Sequence, residues 1–130
     1  MAEIFAGHGY QVYVVNRPTP TPILSYAVRF YDCDCGVMLT ASHNPSEYNG
    51  FKAYNSEGCQ VTPPLDQQVI DNFGKIEDWS EMKPLKFEEG IANGKIKYFS
   101  DELYDSYFQI IQDECLRKDL VQSHGEKLKV

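Results

Sequence analysis

Pro18, Pro20 and Pro22 alternate through "NRPTPTP", residues 16 to 22, and neither a helix nor a strand can run through them. Each proline lacks a backbone N–H and holds φ near about −65°, so three in five positions force a loop. The chain on either side differs in character. "YQVYVV" before the loop has the β-branched and aromatic composition of a strand. "PILSYAVRFY" after it reads as a helix, with Thr21 as N-cap and Pro22 at the first helical position.

The same alternation continues. Residues 1 to 9 close a helix that Gly7 and Gly9 end. "CGVMLTA" is a second apolar strand and "GFKAYN" a third, turned by "SEG" into "CQV". Thr62, Pro63 and Pro64 announce a helix over "LDQQVIDNFGKI", whose Leu65, Val69 and Phe73 recur every four residues. Residues 77 to 99 read as irregular, with a short strand in "KIKYFS". "SDELYDSYFQIIQDECL" is the strongest helix pattern. Ser100 caps it, Asp101 and Glu102 complement its dipole, and Leu103, Tyr107, Ile110, Ile111 and Cys115 form its apolar stripe. The tail "HGEKLKV" reads as the start of a strand.

Helices alternating with strands predict an α/β fold, three-layer α/β/α, with a mixed, partly parallel sheet. Because the pattern opens on the end of a helix and closes on the start of a strand, the chain is expected to be a piece of a longer protein, truncated at its N-terminal side.

Bulk composition narrows the function. At 130 residues there is room for one domain with a core. The net charge of −7 argues against nucleic acid or an anionic membrane as partner, since both need a basic face. It also sets a problem for any phosphorylated substrate, which would need local cations or a metal. No apolar run is long enough to span a bilayer, and "MAEIFAGHGYQVYVV" has no signal-peptide pattern, so a cytoplasmic location is the default. Cys33 and Cys35 are too closely spaced for a zinc pair and are expected as buried reduced thiols.

The chemistry concentrates in "LTASHNPSEYNGFKAY", residues 39 to 54. A loop after an apolar strand lies at a carboxyl end, where open α/β sheets bind ligands. Ser42 needs a base, a metal or positive charge before it can attack anything. His43 is its neighbour, and adjacent side chains usually diverge. Lys52 lies ten positions on and can return to the same pocket. Asn44 and Asn49 carry amide donors, and Gly50 permits a close backbone approach. An acyl-transfer elbow is excluded, since Thr40 and Asn44 stand where it needs glycines. A P-loop is excluded because G-x-x-x-x-G-K-[ST] is absent. A structural turn and a serine that carries phosphate both remain open.

"GVMLTASHNPSEYNGFKAY", residues 36 to 54, resembles the phosphoserine signature of the α-D-phosphohexomutases, the family of phosphoglucomutases and phosphomannomutases, and "TASHNP" is its most specific part. The similarity extends upstream through "HGYQVYVVNRPTPTPILSYAVR" and downstream through "EGCQVTPP" to the helix before "KLKV". The resemblance implies a partial first domain over residues 1–122, with its phosphoserine loop at 40–50, and the start of a connection to a second domain over 123–130. It implies interconversion of hexose 1-phosphate and hexose 6-phosphate through a phosphoserine and a hexose 1,6-bisphosphate. Ser42 matches the phosphoserine, whose phosphoryl group also helps hold magnesium. His43 and Lys52 match positions with acid/base or electrostatic roles. Asn44 and Arg17 are the substrate-binding candidates. The plainer readings are a loop histidine, a solvated strand-edge lysine, a surface arginine and, for Asn44 as for Asn49, an amide that fixes the loop through Asx-type hydrogen bonds.

In that family the Asp ligands for magnesium come from the second domain, the sugar-selecting loop from the third and a phosphate clamp from the fourth. The sequence contains no D-x-D-x-D, G-E-x-S-G or S-G-T. The chain by itself is therefore expected to be inactive or nearly so, and its truncated edge to favour self-association. The alternative is a non-catalytic binding or structural remnant that keeps the loop for folding.

Overall fold

The computed structural model describes residues 1–45, 47–127 and 129. The chain divides into two compact units, residues 1–100 and 101–130. The first holds α1 (Ala2–Gly7), β1 (Val12–Val14), α2 (Thr21–Phe30), β2 (Cys35–Thr40), β3 (Gly50–Asn55), α3 (Leu65–Phe73), a 3-10 turn at Trp79–Glu81, α4 (Phe87–Ala92) and β4 (Ile96–Tyr98). The second holds α5 (Asp101–Asp113), α6 (Lys118–His124) and a 3-10 turn at Gly125–Lys127. No helix among the described residues is long and apolar enough to cross a membrane.

The pairing is mixed, as expected, and comes as two ladders. β1 runs parallel to β4, with Val12 opposite Ile96 and Val14 opposite Tyr98. The Gln11 side-chain amide anchors that ladder by donating to the carbonyls of Gly94 and Lys95, both at 2.9 Å. β2 and β3 form an antiparallel hairpin running from Cys35 opposite Asn55 to Thr40 opposite Gly50. Near its far end Tyr54, within β3, also forms an antiparallel bridge to Gln60.

One glycine sets how the hairpin is held. Gly36 is buried on β2, and a Cβ there would lie 2.6 Å from Val28 Cγ2 and 3.5 Å from Tyr54 Cβ. Without that Cβ, α2 settles directly onto the strand. Its buried side chains, Ile23, Ala27 and Val28, belong to the core, as does Tyr54 of β3. Alternation along a strand then assigns the two faces. Gly36, Met38 and Thr40 share the α2 face with Gly50, Lys52 and Tyr54, their cross-strand partners. The opposite face, with Val37, Phe51 and Ala53, borders a cleft of about 390 Å³ whose far wall is Leu65 and Val69 of α3. α2, the hairpin and α3 are therefore three layers.

α2 ends in a tight reversal. Asp32 takes a left-handed conformation (φ 52°), and the Cys33 N–H returns to the Val28 carbonyl at 2.8 Å. These are the features of a Schellman cap, normally built on glycine. Because only residues 31–34 join α2 to β2, the helix runs back against the strand. Its start therefore lies toward the end of the hairpin that carries the 41–49 connection.

Several expectations change. Pro20 rather than Thr21 is the N-cap of α2, because the Pro20 carbonyl accepts the first helical bond, from the Ile23 N–H at 3.0 Å. α4 falls in the stretch read as irregular. Gly90 sits inside it, and a Cβ there would lie 2.5 Å from Ile96 Cδ1, so the apparent helix breaker is the point where β4 packs. The tail is helical through His124 and a 3-10 turn through Lys127; Leu128 and Val130 of the expected strand lie outside the described residues. Of the α5 stripe Leu103 is buried, while Ile110 and Ile111 are half-exposed. The thiols are not buried: Cys35 and Cys59 are exposed, Cys33 and Cys115 partly so. Cys33 belongs to the helix cap and not to the strand. Its partial burial, then the neighbouring Cys35, Asp34 and Asp32, push its thiol pKa up.

Gly36→Ala is expected to destabilise the chain by about 1–3 kcal/mol through overpacking against Val28, read as a lower urea midpoint with unchanged slope. Asp32→Gly is expected to raise stability by about 1 kcal/mol, by removing the left-handed penalty from the α2 cap. A loss of stability in that variant would contradict the cap assignment.

Candidate functional site

The connection between β2 and β3 runs from Ala41 to Asn49, far longer than a two-residue hairpin turn requires. Its first part is a tight turn in which the Asn44 N–H donates to the Ala41 carbonyl at 3.0 Å. Ser42 lies within it in a left-handed conformation (φ 56°). Such backbone costs a non-glycine residue about 1–2 kcal/mol and concentrates at functional sites. The Ser42 N–H donates to Thr40 Oγ1 at 3.0 Å.

That geometry corrects the expectation that His43 points away from Ser42. Ser42 Oγ and His43 Nδ1 are 3.3 Å apart, and both residues are exposed. With Nδ1 unprotonated, the serine hydroxyl donates to the ring. Among the described residues no carboxylate hydrogen-bonds to His43, so the pair is not the front of a hydrolytic triad. An exposed hydroxyl with a single long contact is a weak nucleophile in water. It is well placed to accept or hold a group delivered from outside.

Lys52 is half-buried on β3 opposite Met38. It lies diagonally across from Thr40 on the α2 face, a spacing of roughly 7–8 Å between backbones that a lysine side chain can cover. Asn44 is exposed in the same turn as Ser42. Arg17 is exposed on the connection before α2, where its carbonyl accepts from Thr19 Oγ1 at 2.9 Å. Since α2 runs back against β2, that connection lies toward the Ser42 end of the layers. The structure thus brings Ser42, His43 and Asn44 together in one turn, sets Lys52 on the adjoining strand, and leaves Arg17 on a separate loop.

Tyr54 is a packing residue, whereas Tyr48 is exposed. His8 and His124 lie at the surface, His124 with its Nδ1 2.7 Å from Ser123 Oγ. The cleft between the hairpin and α3 is lined chiefly by apolar side chains and includes none of Ser42, His43 or Lys52, so it is not this site. Sequence reasoning missed Thr40. The available signal was a hydroxyl residue two positions before the serine, the spacing at which a side-chain oxygen meets a backbone N–H.

Magnesium does not fit the residues present. No group of three His, Cys, Asp or Glu side chains among the described residues could hold a metal ion. Ser42 offers a metal only a hydroxyl, or an oxygen of a phosphoryl group carried on it.

The left-handed backbone at Ser42 leads to a stability test. Ser42→Gly is expected to be more stable than Ser42→Ala by about 1 kcal/mol, because only the alanine retains the Cβ penalty. Equal stabilities would contradict the positive φ.

The family model for phosphoglucomutase/phosphomannomutase, α/β/α domain I, matches residues 1–79. A phosphoglucomutase of Staphylococcus saprophyticus is 39% identical over 107 residues, covering 82% of this chain and 19% of that protein. A probable phosphomannomutase of Haemophilus influenzae is 44% identical over 78 residues, 58% of this chain and 16% of its own length. A phosphoribomutase of Saccharomyces cerevisiae is 32% identical over 135 residues, 99% of this chain and 21% of its own length. The chain thus spans about a fifth of the length of the curated relatives it matches. With a matching domain model over more than half its residues and a layered fold to go with it, the chain belongs to the phosphoglucomutase/phosphomannomutase family.

Proposed function

We propose that this chain is the phosphoserine-bearing part of a phosphohexomutase that interconverts hexose 1-phosphate and hexose 6-phosphate. The observation that carries the reading is Ser42, exposed in a strained turn at the carboxyl end of β2 with its Oγ 3.3 Å from His43 Nδ1. In the forward step the phosphorus–oxygen bond to Ser42 breaks, a bond to a sugar hydroxyl forms, and that hydroxyl loses its proton. The resulting hexose 1,6-bisphosphate then returns its other phosphoryl group to Ser42. In this reading His43 exchanges a proton with the serine oxygen as that bond forms and breaks, a role the 3.3 Å separation supports. Lys52 supplies positive charge or a second proton relay on the same hairpin face.

Charge and donors set the limits of the isolated chain. Lys52 is one local positive group in a chain of net charge −7, too little to gather a sugar bisphosphate tightly. Magnesium enters this reading only through a phosphoryl oxygen on Ser42, with its other ligands supplied from outside the described residues. Turnover of hexose 1-phosphate is therefore expected to be absent or nearly so in this chain. A cytoplasmic location accords with soluble sugar phosphates as substrates.

A half-reaction separates chemistry from scaffold. On incubation with a hexose 1,6-bisphosphate and magnesium, the intact mass is expected to rise by one phosphoryl group, and Ser42→Ala to abolish the gain. No gain under any condition favours a binding or structural role for the chain, with the loop kept for folding. A gain that survives Ser42→Ala overturns the assignment of the serine. The phosphoribomutase relative supports one further arm, a pentose bisphosphate, because it matches nearly the whole chain. Faster transfer from the pentose compound would move the substrate class from hexose to pentose.

A further inference from the structure

We infer that Thr40 is the positioning residue for Ser42, holding the serine in the conformation that presents its hydroxyl; the functional part of this inference rests on the reading of Ser42 as the phosphoryl carrier. Two peptide groups around the serine are pinned. The one before it is held by the Ser42 N–H on Thr40 Oγ1 at 3.0 Å, and the one after His43 by the Asn44 N–H on the Ala41 carbonyl at 3.0 Å. Between two fixed peptide planes the chain has little freedom, and Ser42 is left at φ 56°. Releasing the first plane lets Ser42 relax to the extended or right-handed backbone that serine prefers. Its Oγ then swings off His43 Nδ1.

Thr40 is suited to this task by what surrounds it. It is the last residue of β2, so its backbone direction is fixed by the hairpin ladder. Its branch point restricts χ1 and so fixes where the hydroxyl points. Gly50, its cross-strand partner, has no side chain to compete for that hydroxyl. A Cβ on Gly50 would also lie 2.8 Å from the Thr40 carbonyl oxygen. The close approach at Gly50 and the hydrogen bond at Thr40 therefore act at the same cross-strand pair. A threonine present only for strand propensity would need no acceptor aimed at residue 42.

Thr40→Val keeps the shape and the strand propensity and removes the acceptor, while Thr40→Ser keeps the acceptor. The first readout is the intraresidue amide–Hα NOE of Ser42 in this chain, which is strong only at positive φ. It is expected to be strong in the unsubstituted chain and in Thr40→Ser, and to weaken in Thr40→Val with the far-UV spectrum unchanged. The second readout is the initial rate of phosphoryl uptake from a hexose 1,6-bisphosphate. Thr40→Val is expected to lower it by about 10-fold or more, as misplacement of a reacting atom does, and Thr40→Ser to restore it. An unchanged Ser42 NOE in Thr40→Val overturns the positioning role. So does a weakened NOE with an unchanged uptake rate. If the unsubstituted chain takes up no phosphate, the reading of the site fails, and the NOE series alone decides whether Thr40 holds Ser42.

Discussion

The structure depends on the absence of one methyl group. At Gly36 the backbone of β2 lies bare, and Val28 of α2 occupies the space a side chain would fill. That contact fixes the height and direction of the helix over the hairpin. It buries Ile23, Ala27 and Tyr54, and it turns one face of both strands toward α2. Which side chains can meet at the loop end follows from that choice of face. Thr40 and Lys52 lie on it, and Ser42 follows two residues later. A register slip of one residue would send Lys52 to the α3 side and break the arrangement.

The turn at Ser42 shows how little chemistry a short chain needs to prepare a hydroxyl. Strain, one side-chain acceptor and one backbone bond hold the serine, and the His43 imidazole lies beside its hydroxyl. These elements orient the oxygen without strongly activating it. That suits the proposed role of a group alternately loaded and unloaded with phosphate, since a fiercely activated serine would lose its cargo to water.

Much of this was legible in the sequence because the signals were local. Proline spacing marked the loop before α2, a β-branched and aromatic run marked β1, an apolar run marked β2, and the polar run after Thr40 marked the site. What was not legible depended on tertiary contact. α4 was hidden because Gly90 reads as a breaker, yet Ile96 needs that bare backbone. The reversed helix cap at Asp32 lacked the glycine that usually announces it. His43 was expected to diverge from Ser42, which holds for extended or helical neighbours and fails when the serine is left-handed. The half-exposed Ile110 and Ile111 show the converse: a helical apolar stripe specifies which face would be covered and carries no information on what covers it.

One hydroxyl, Ser42, is the proposed seat of phosphate on this chain, and a second serine follows four positions later in the sequence, at 46. Fragmentation mass spectrometry of the chain after reaction with a hexose 1,6-bisphosphate reads the modified residue directly. The account predicts phosphate on the fragment ions that contain Ser42 and on none that exclude it. Phosphate on Ser46, or spread evenly over the surface serines, would contradict it.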